Sequence, residues 1–171
     1  MKAVIPLPRK TKIYLDTSAI SHLEQPEKPT EQAYTQEMFD RIKRGAFDVC
    51  LSDIVFDEIR NCRPPKLEKF IQHVSEIDFT DIPITDDVEE LAEKIIAKKI
   101  LPPASVEDSE HIAAAIIAKC DYIVSWNMKH MANVRVNKGV RIITLEEGYK
   151  EIMLVPPSML LEGGFYNEAR P

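Results

Sequence analysis

Short apolar runs alternate with stretches of helical period along most of the chain, and this alternation limits the fold more than any other feature. Ile13-Tyr14-Leu15, Phe47-Asp48-Val49-Cys50-Leu51 and Tyr122-Ile123-Val124 read as buried strands. Between them, residues 30–44 place Tyr34, Met38 and Ile42 on one stripe, with Gly45 as the stop. Pro64-Pro65 opens a helix to residue 75, since proline in a first turn costs a helix nothing. Thr85 caps another to residue 98, with Asp86 and Asp87 facing the positive end of its dipole. From Asp108, the body Ile112-Ala113-Ala114-Ala115-Ile116-Ile117-Ala118 is apolar nearly all round, as a central helix must be. Residues 18–23 make one helical turn, residues 24–30 a polar loop, and residues 78–84 a weak strand or linker. Toward the end, residues 128–138 read as a long connection, Arg141-Ile142-Ile143 as the last strand, and Thr144 as the cap of a helix to residue 152.

Strand and helix in alternation predict an α/β fold, with a mainly parallel central sheet of about five strands flanked by helices on both faces. A chain of 171 residues, 44% hydrophobic and 29% charged, supplies one ordinary core. Residues 1–154 are expected to form the domain, and residues 155–171, with two prolines and Gly163-Gly164, an extension on its surface or on a neighbouring subunit. Cys50, Cys62 and Cys120 share no CxxC spacing and sit among apolar residues, which speaks for reduced thiols and against a zinc site. Met1 to Arg9 lack an apolar stretch of signal-peptide length, and no run approaches transmembrane length, so a cytoplasmic protein away from the membrane is expected. The formal charge of −6 argues against a protein that coats nucleic acid indiscriminately. It leaves room for a nuclease, because a bound metal supplies positive charge locally.

The chemistry concentrates where these elements begin and end. The first strand ends on Asp16-Thr17-Ser18. In open α/β sheets, ligands sit beyond the carboxyl ends of the strands, so Asp16 either takes a ligand there or caps the following turn. In the helix over residues 53–61, Ile54, Val55, Ile59 and Cys62 share one arc, and Asp53, Asp57, Arg60 and Asn61 the other. Glu58 falls inside the apolar arc, so it meets a metal or a buried partner unless it snorkels to the surface. Asp108 shares a face with Ile112 and Ala115 while Glu110 points away, making Asp108 the inward acid unless it serves as the helix cap. Ser125 and Asn127 sit at the end of a later strand. Lys129, Lys10 and Lys12 are candidate contacts for an RNA backbone, and His111 reads as a packed, hydrogen-bonded side chain.

Leu15-Asp16-Thr17-Ser18, then Glu58, then Asp108-Ser109-Glu110-His111-Ile112-Ala113-Ala114-Ala115, then Ser125-Trp126-Asn127, resembles the PIN-domain ribonucleases, whose largest branch is the VapC-like toxins. The resemblance runs from Ile13 to Ile143. It implies a single PIN-like domain that hydrolyses RNA with Mg²⁺ or Mn²⁺ on Asp16, Glu58, Asp108 and Asn127. Ser18 matches the hydroxyl beside the first acid and Ser125 the hydroxyl of the fourth motif, and both, with Lys129, are candidate substrate contacts. It also implies a homodimer and an antitoxin protein whose basic segment blocks the acid cluster. The stricter pattern has Asp where this chain has Asn127, which brings an amide oxygen without charge. A degenerate PIN domain that binds RNA or protein without cutting is therefore the alternative. A phosphatase of the haloacid dehalogenase type needs a second Asp at the position of Ser18, and is set aside.

Overall fold

The structure is a computed structural model and describes residues 9–162. Five strands form one sheet: β1 (Thr11–Leu15), β2 (Phe47–Ser52), β3 (Thr80–Ile82), β4 (Tyr122–Val124) and β5 (Met153–Val155). Eight helices join and flank them: α1 (Thr17–Ser21), α2 (Pro29–Lys43), α3 (Asp53–Arg60), α4 (Lys66–Ser75), α5 (Asp86–Ala97), α6 (Val106–Ile117), α7 (Val134–Glu146) and α8 (Pro157–Glu162). Every strand pair is parallel and the order is β3-β2-β1-β4-β5.

That order fixes where a site can lie. The chain first winds outward from β1 through β2 to β3, then crosses back to β4 and winds the other way to β5. Right-handed crossovers in the two directions put their helices on opposite faces, and the crevice opens where the direction reverses, at the ends of β1 and β4. Tyr14 pairs with Cys50 on one side and Ile123 on the other, so β1 has a strand on each edge. Its Ile13, Tyr14 and Leu15 are fully buried, which explains their unbroken apolar run. α6 is buried at Ser109 and from His111 through Ile116, the central helix that its composition predicts.

The C-terminal third departs from expectation. Arg141-Ile142-Ile143 is not a strand but lies in α7, which also takes up residues 134–138 of the expected connection and Thr144, the expected cap. Asn133 caps α7 by accepting from Val136 N at 3.0 Å. Val136, Val140 and Ile143 then bury one stripe while Val134, Ile142 and Leu145 stay exposed. The β-branched residues and Gly139 disguise a helical period that is nonetheless present. Gly139 is required there, because a Cβ would stand 2.8 Å from Ile100 Cγ2. The last strand is instead Met153–Val155, paired with β4, so β5 crosses the expected junction at 154/155 and α8 follows, packed on α2. Residues 163–171 of the expected extension lie outside the described residues.

Candidate active site

Asp16 follows β1 directly and Ser125 follows β4 directly, so both stand in the crevice. The Asp16 carboxylate is buried and held from three sides. Its Oδ1 accepts from Ser18 Oγ at 2.6 Å and from Ala19 N at 2.9 Å, and its Oδ2 accepts from Ser125 Oγ at 2.5 Å. Asp16 thus caps α1 through Oδ1 and reaches the end of β4 through Oδ2. The hydroxyls sew the two strand ends together: Ser18 Oγ accepts from Trp126 N at 2.9 Å, and Ser125 Oγ from Asn127 N at 3.0 Å.

Glu58 comes from α3, half-buried, while its neighbour Asp57 is exposed, as the helical arc predicts. Its carboxylate accepts from the Thr17 hydroxyl and faces His111 Nε2 at 3.4 Å. Behind it runs a buried chain of polar groups. His111 Nδ1 lies 2.6 Å from the Tyr14 hydroxyl, which lies 2.6 Å from Ser52 Oγ. Burial alone would raise the Glu58 carboxyl, but the hydrogen bond and charge of His111, with the Thr17 hydroxyl, hold it below the ordinary glutamate range. The same pairing, reinforced by Asp16 and Asp108, lifts His111 above the ordinary histidine value against the opposing effect of its burial.

Asp108 stands in the first turn of α6, whose cap position is Ser105, so its carboxylate is not the helix cap. Burial raises the Asp108 carboxyl, Asp16 and Glu58 add repulsion, and His111 and His130 pull the other way. The three acids therefore share one electrostatic environment. Asn127 serves its own loop as well. Its Oδ1 accepts from His130 N at 3.2 Å and shapes the turn that carries Lys129 and His130. Lys129 is exposed beside this crevice. Lys10 and Lys12 are not: they lie toward the opposite end of β1, Lys12 about 13 Å of strand from Asp16 and Lys10 further still. Lys12 Nζ there donates to Ala118 O at 2.7 Å.

Thr17 and Tyr14 are the partners that sequence reasoning missed. His111 carried a usable signal, since it follows Asp108 by three residues and therefore shares its side of the helix. The donors suit a hard divalent cation, being carboxylates with hydroxyls beside them. Among the described residues, however, no group of three or more His, Cys, Asp or Glu side chains is gathered tightly enough to hold a metal ion alone. Magnesium asks less of the protein, being commonly held by one or two carboxylates with waters and substrate phosphate supplying the rest.

No protein-family model matches the chain, and no curated protein matches its sequence. Solved structures do match in fold. One is VapBC2 from Rickettsia felis bound to a DNA fragment from its promoter, with a TM-score of 0.53 at 12% identity, covering 85% of this chain and 98% of that one. Another is VapC20 of Mycobacterium tuberculosis, a toxin that cleaves the sarcin–ricin loop, with a TM-score of 0.54 at 15% identity, covering 68% and 91%. The chain has the all-parallel PIN fold of the VapC toxins. Among the described residues no helix is long and apolar enough to cross a membrane.

Proposed function

We propose that this chain is a metal-dependent endoribonuclease, a VapC-like toxin of a toxin–antitoxin pair. What supports the reading is that Asp16 and Ser125 stand at the strand ends where this fold reverses direction, with Glu58 and Asp108, from two further segments, near enough to act on one another and on Asp16 electrostatically. Asp16 and Asp108 would hold Mg²⁺ or Mn²⁺, with Glu58 beside them. When bound, such an ion lowers the pKa of a coordinated water and offsets charge on the scissile phosphate. Ser18 and Ser125, one on each oxygen, keep the Asp16 carboxylate from rotating. Thr17 and His111 do the same for Glu58.

Part of the reading concerns partners. An acidic crevice in a chain of net charge −6 is matched by a segment presenting Arg or Lys, which is the chemistry expected of an antitoxin. A homodimer belongs to the same proposal. The binding-module alternative draws on Asn127, whose oxygen is spent on His130 N and brings no charge.

The test is a calorimetric Mn²⁺ titration of the protein beside Asp16→Asn, followed by incubation of each with structured RNAs. We expect Mn²⁺ binding and RNA cleavage in the parent, and loss of both in the variant with its fold intact. RNA binding with no cleavage in any metal, together with Mn²⁺ affinity unchanged in Asp16→Asn, would establish the binding module instead.

A further inference from the structure

Among the described residues many of the cations are already engaged by carboxylates. Lys43 meets Glu76, Lys69 meets Glu24, Lys94 meets Glu147, Arg141 meets Glu151, and Arg9 and Lys150 meet Asp121. One wall beside the crevice differs. Two adjoining hollows, of about 330 and 180 Å³, share Ile100 and Arg135 and run from the C-terminal end of α5 to the turn after Asn127. Lys98, Lys99, Arg135, Lys129 and His130 line them; Lys98 pairs with Glu146, and among the described residues no Asp or Glu lines the hollows themselves. Among those same residues Lys99 and Lys129 form no ion pair, and Arg135 reaches only the Lys99 carbonyl, at 3.3 Å. The groove ends at His130, whose backbone N–H donates to Asn127 Oδ1 at 3.2 Å; Asn127 N–H in turn donates to the Ser125 hydroxyl that bonds Asp16, so the groove ends beside the first acid. The larger hollow of about 610 Å³ at the opposite end of the sheet is no equivalent: its Lys10, Lys12 and Lys43 face Asp48, Glu76 and Asp78.

We propose that this groove is the track that leads the phosphate backbone of RNA to the acid cluster, with Lys99, Arg135 and Lys129 as successive phosphate contacts. The inference rests on the ribonuclease reading and says which wall of the crevice takes the substrate. Three cations without carboxylate partners hold counterions in the free protein, and exchanging them for phosphates releases those ions.

The experiment is fluorescence anisotropy of a labelled single-stranded oligouridylate in EDTA, measured across a salt series, with labelled polyglutamate as a second probe. The groove variant is Lys99→Gln/Lys129→Gln/Arg135→Gln. Its control is Lys10→Gln/Arg44→Gln/Lys119→Gln, which removes the same charge elsewhere. Three phosphate contacts on a single strand account for a slope of about 2 in log K against log salt, or roughly a hundredfold in affinity near 0.1 M salt. We expect the groove variant to lose that slope and affinity, and the control to keep both. Equal weakening of the two variants, or parent-like binding by the groove variant, would overturn the proposal and leave the ribonuclease reading standing. Absence of RNA binding by the parent at low salt, with no cleavage in Mn²⁺, would overturn that reading as well. Loss of polyglutamate binding with RNA binding retained would make the groove a protein-docking surface, and would equally overturn the proposal.

Discussion

Replacing Tyr14 by Phe removes a single oxygen from the chain Ser52–Tyr14–His111–Glu58. The Tyr14 and Ser52 side chains are fully buried and His111 is 3% exposed, so water cannot readily take the hydroxyl's place. Two buried polar atoms, Ser52 Oγ and His111 Nδ1, lose partners that now stand 2.6 Å away. Each such loss costs about 1–3 kcal/mol, and taking the lower half of that range for both gives about 2–4 kcal/mol. For a domain of this size that is a fall in melting temperature of roughly 6–12 °C. Urea and thermal unfolding of Tyr14→Phe give the number. Ser52→Ala in the same background should then cost less than it does alone, because the partner it would abandon is already gone. A loss below about 1 kcal/mol, or simple additivity of the two substitutions, would show that the chain is not a connected unit. Mn²⁺ affinity supplies a second readout, since a His111 released from Tyr14 no longer fixes the Glu58 carboxylate, and weaker binding is expected.

Gly139→Ala should destabilise the protein although alanine favours helices by about 1 kcal/mol. The new methyl meets Ile100 Cγ2 at 2.8 Å and Cγ1 at 2.9 Å, an overpacking that costs about 1–3 kcal/mol. Ile100→Ala should accordingly cost less in that background than in the parent. Glu24 is held below its ordinary range, chiefly by the Lys69 ammonium and also by His73. A depressed carboxylate contributes stability above its unfolded pKa and loses it as pH falls through the folded one. Glu24→Gln should therefore cost about 0.5–1 kcal/mol at neutral pH and nothing once pH is below the carboxylate range, as melts across pH will show. Asn127→Asp should leave Mn²⁺ affinity within about twofold, because the oxygen is committed to His130 N. Calorimetry showing tightening of tenfold or more would put residue 127 among the ligands. Ser125→Ala removes one of the three restraints on Asp16 and should weaken Mn²⁺ binding while the chain still folds.

What was legible in the sequence was what a single segment decides for itself. Ile13-Tyr14-Leu15 is buried on both faces and looks it, and the alanines of α6 announce a helix packed on several sides. The inward turn of Glu58 follows from a helical arc of nine residues, and Asp108 from its offset to Ile112. α7 was hidden because packing against Ile100 favours a glycine, which argues locally against a helix, and because its valines argue locally for a strand. β5 has three residues, too few for any period to speak, and only its pairing with β4 defines it. The partners of the acids were out of reach for a related reason. Nothing near Glu58 in sequence says that it will meet a histidine 53 residues away, or that Asn127 will turn its oxygen back to its own loop.

The bond between Ser125 and Asp16 spans 109 residues, and β4 reaches β1 only after β2 and β3 have been laid down. During synthesis the first acid therefore leaves the ribosome long before the groups that steady it, and pairings of such separation close slowly. A nascent chain that stops short of residue 125 has two of the crevice's walls and no completed site. If the finished protein cuts RNA, its translating ribosome is spared until the final third of the chain has emerged. Chains truncated before β4 should accordingly be harmless to the cell that makes them, whatever the full length does.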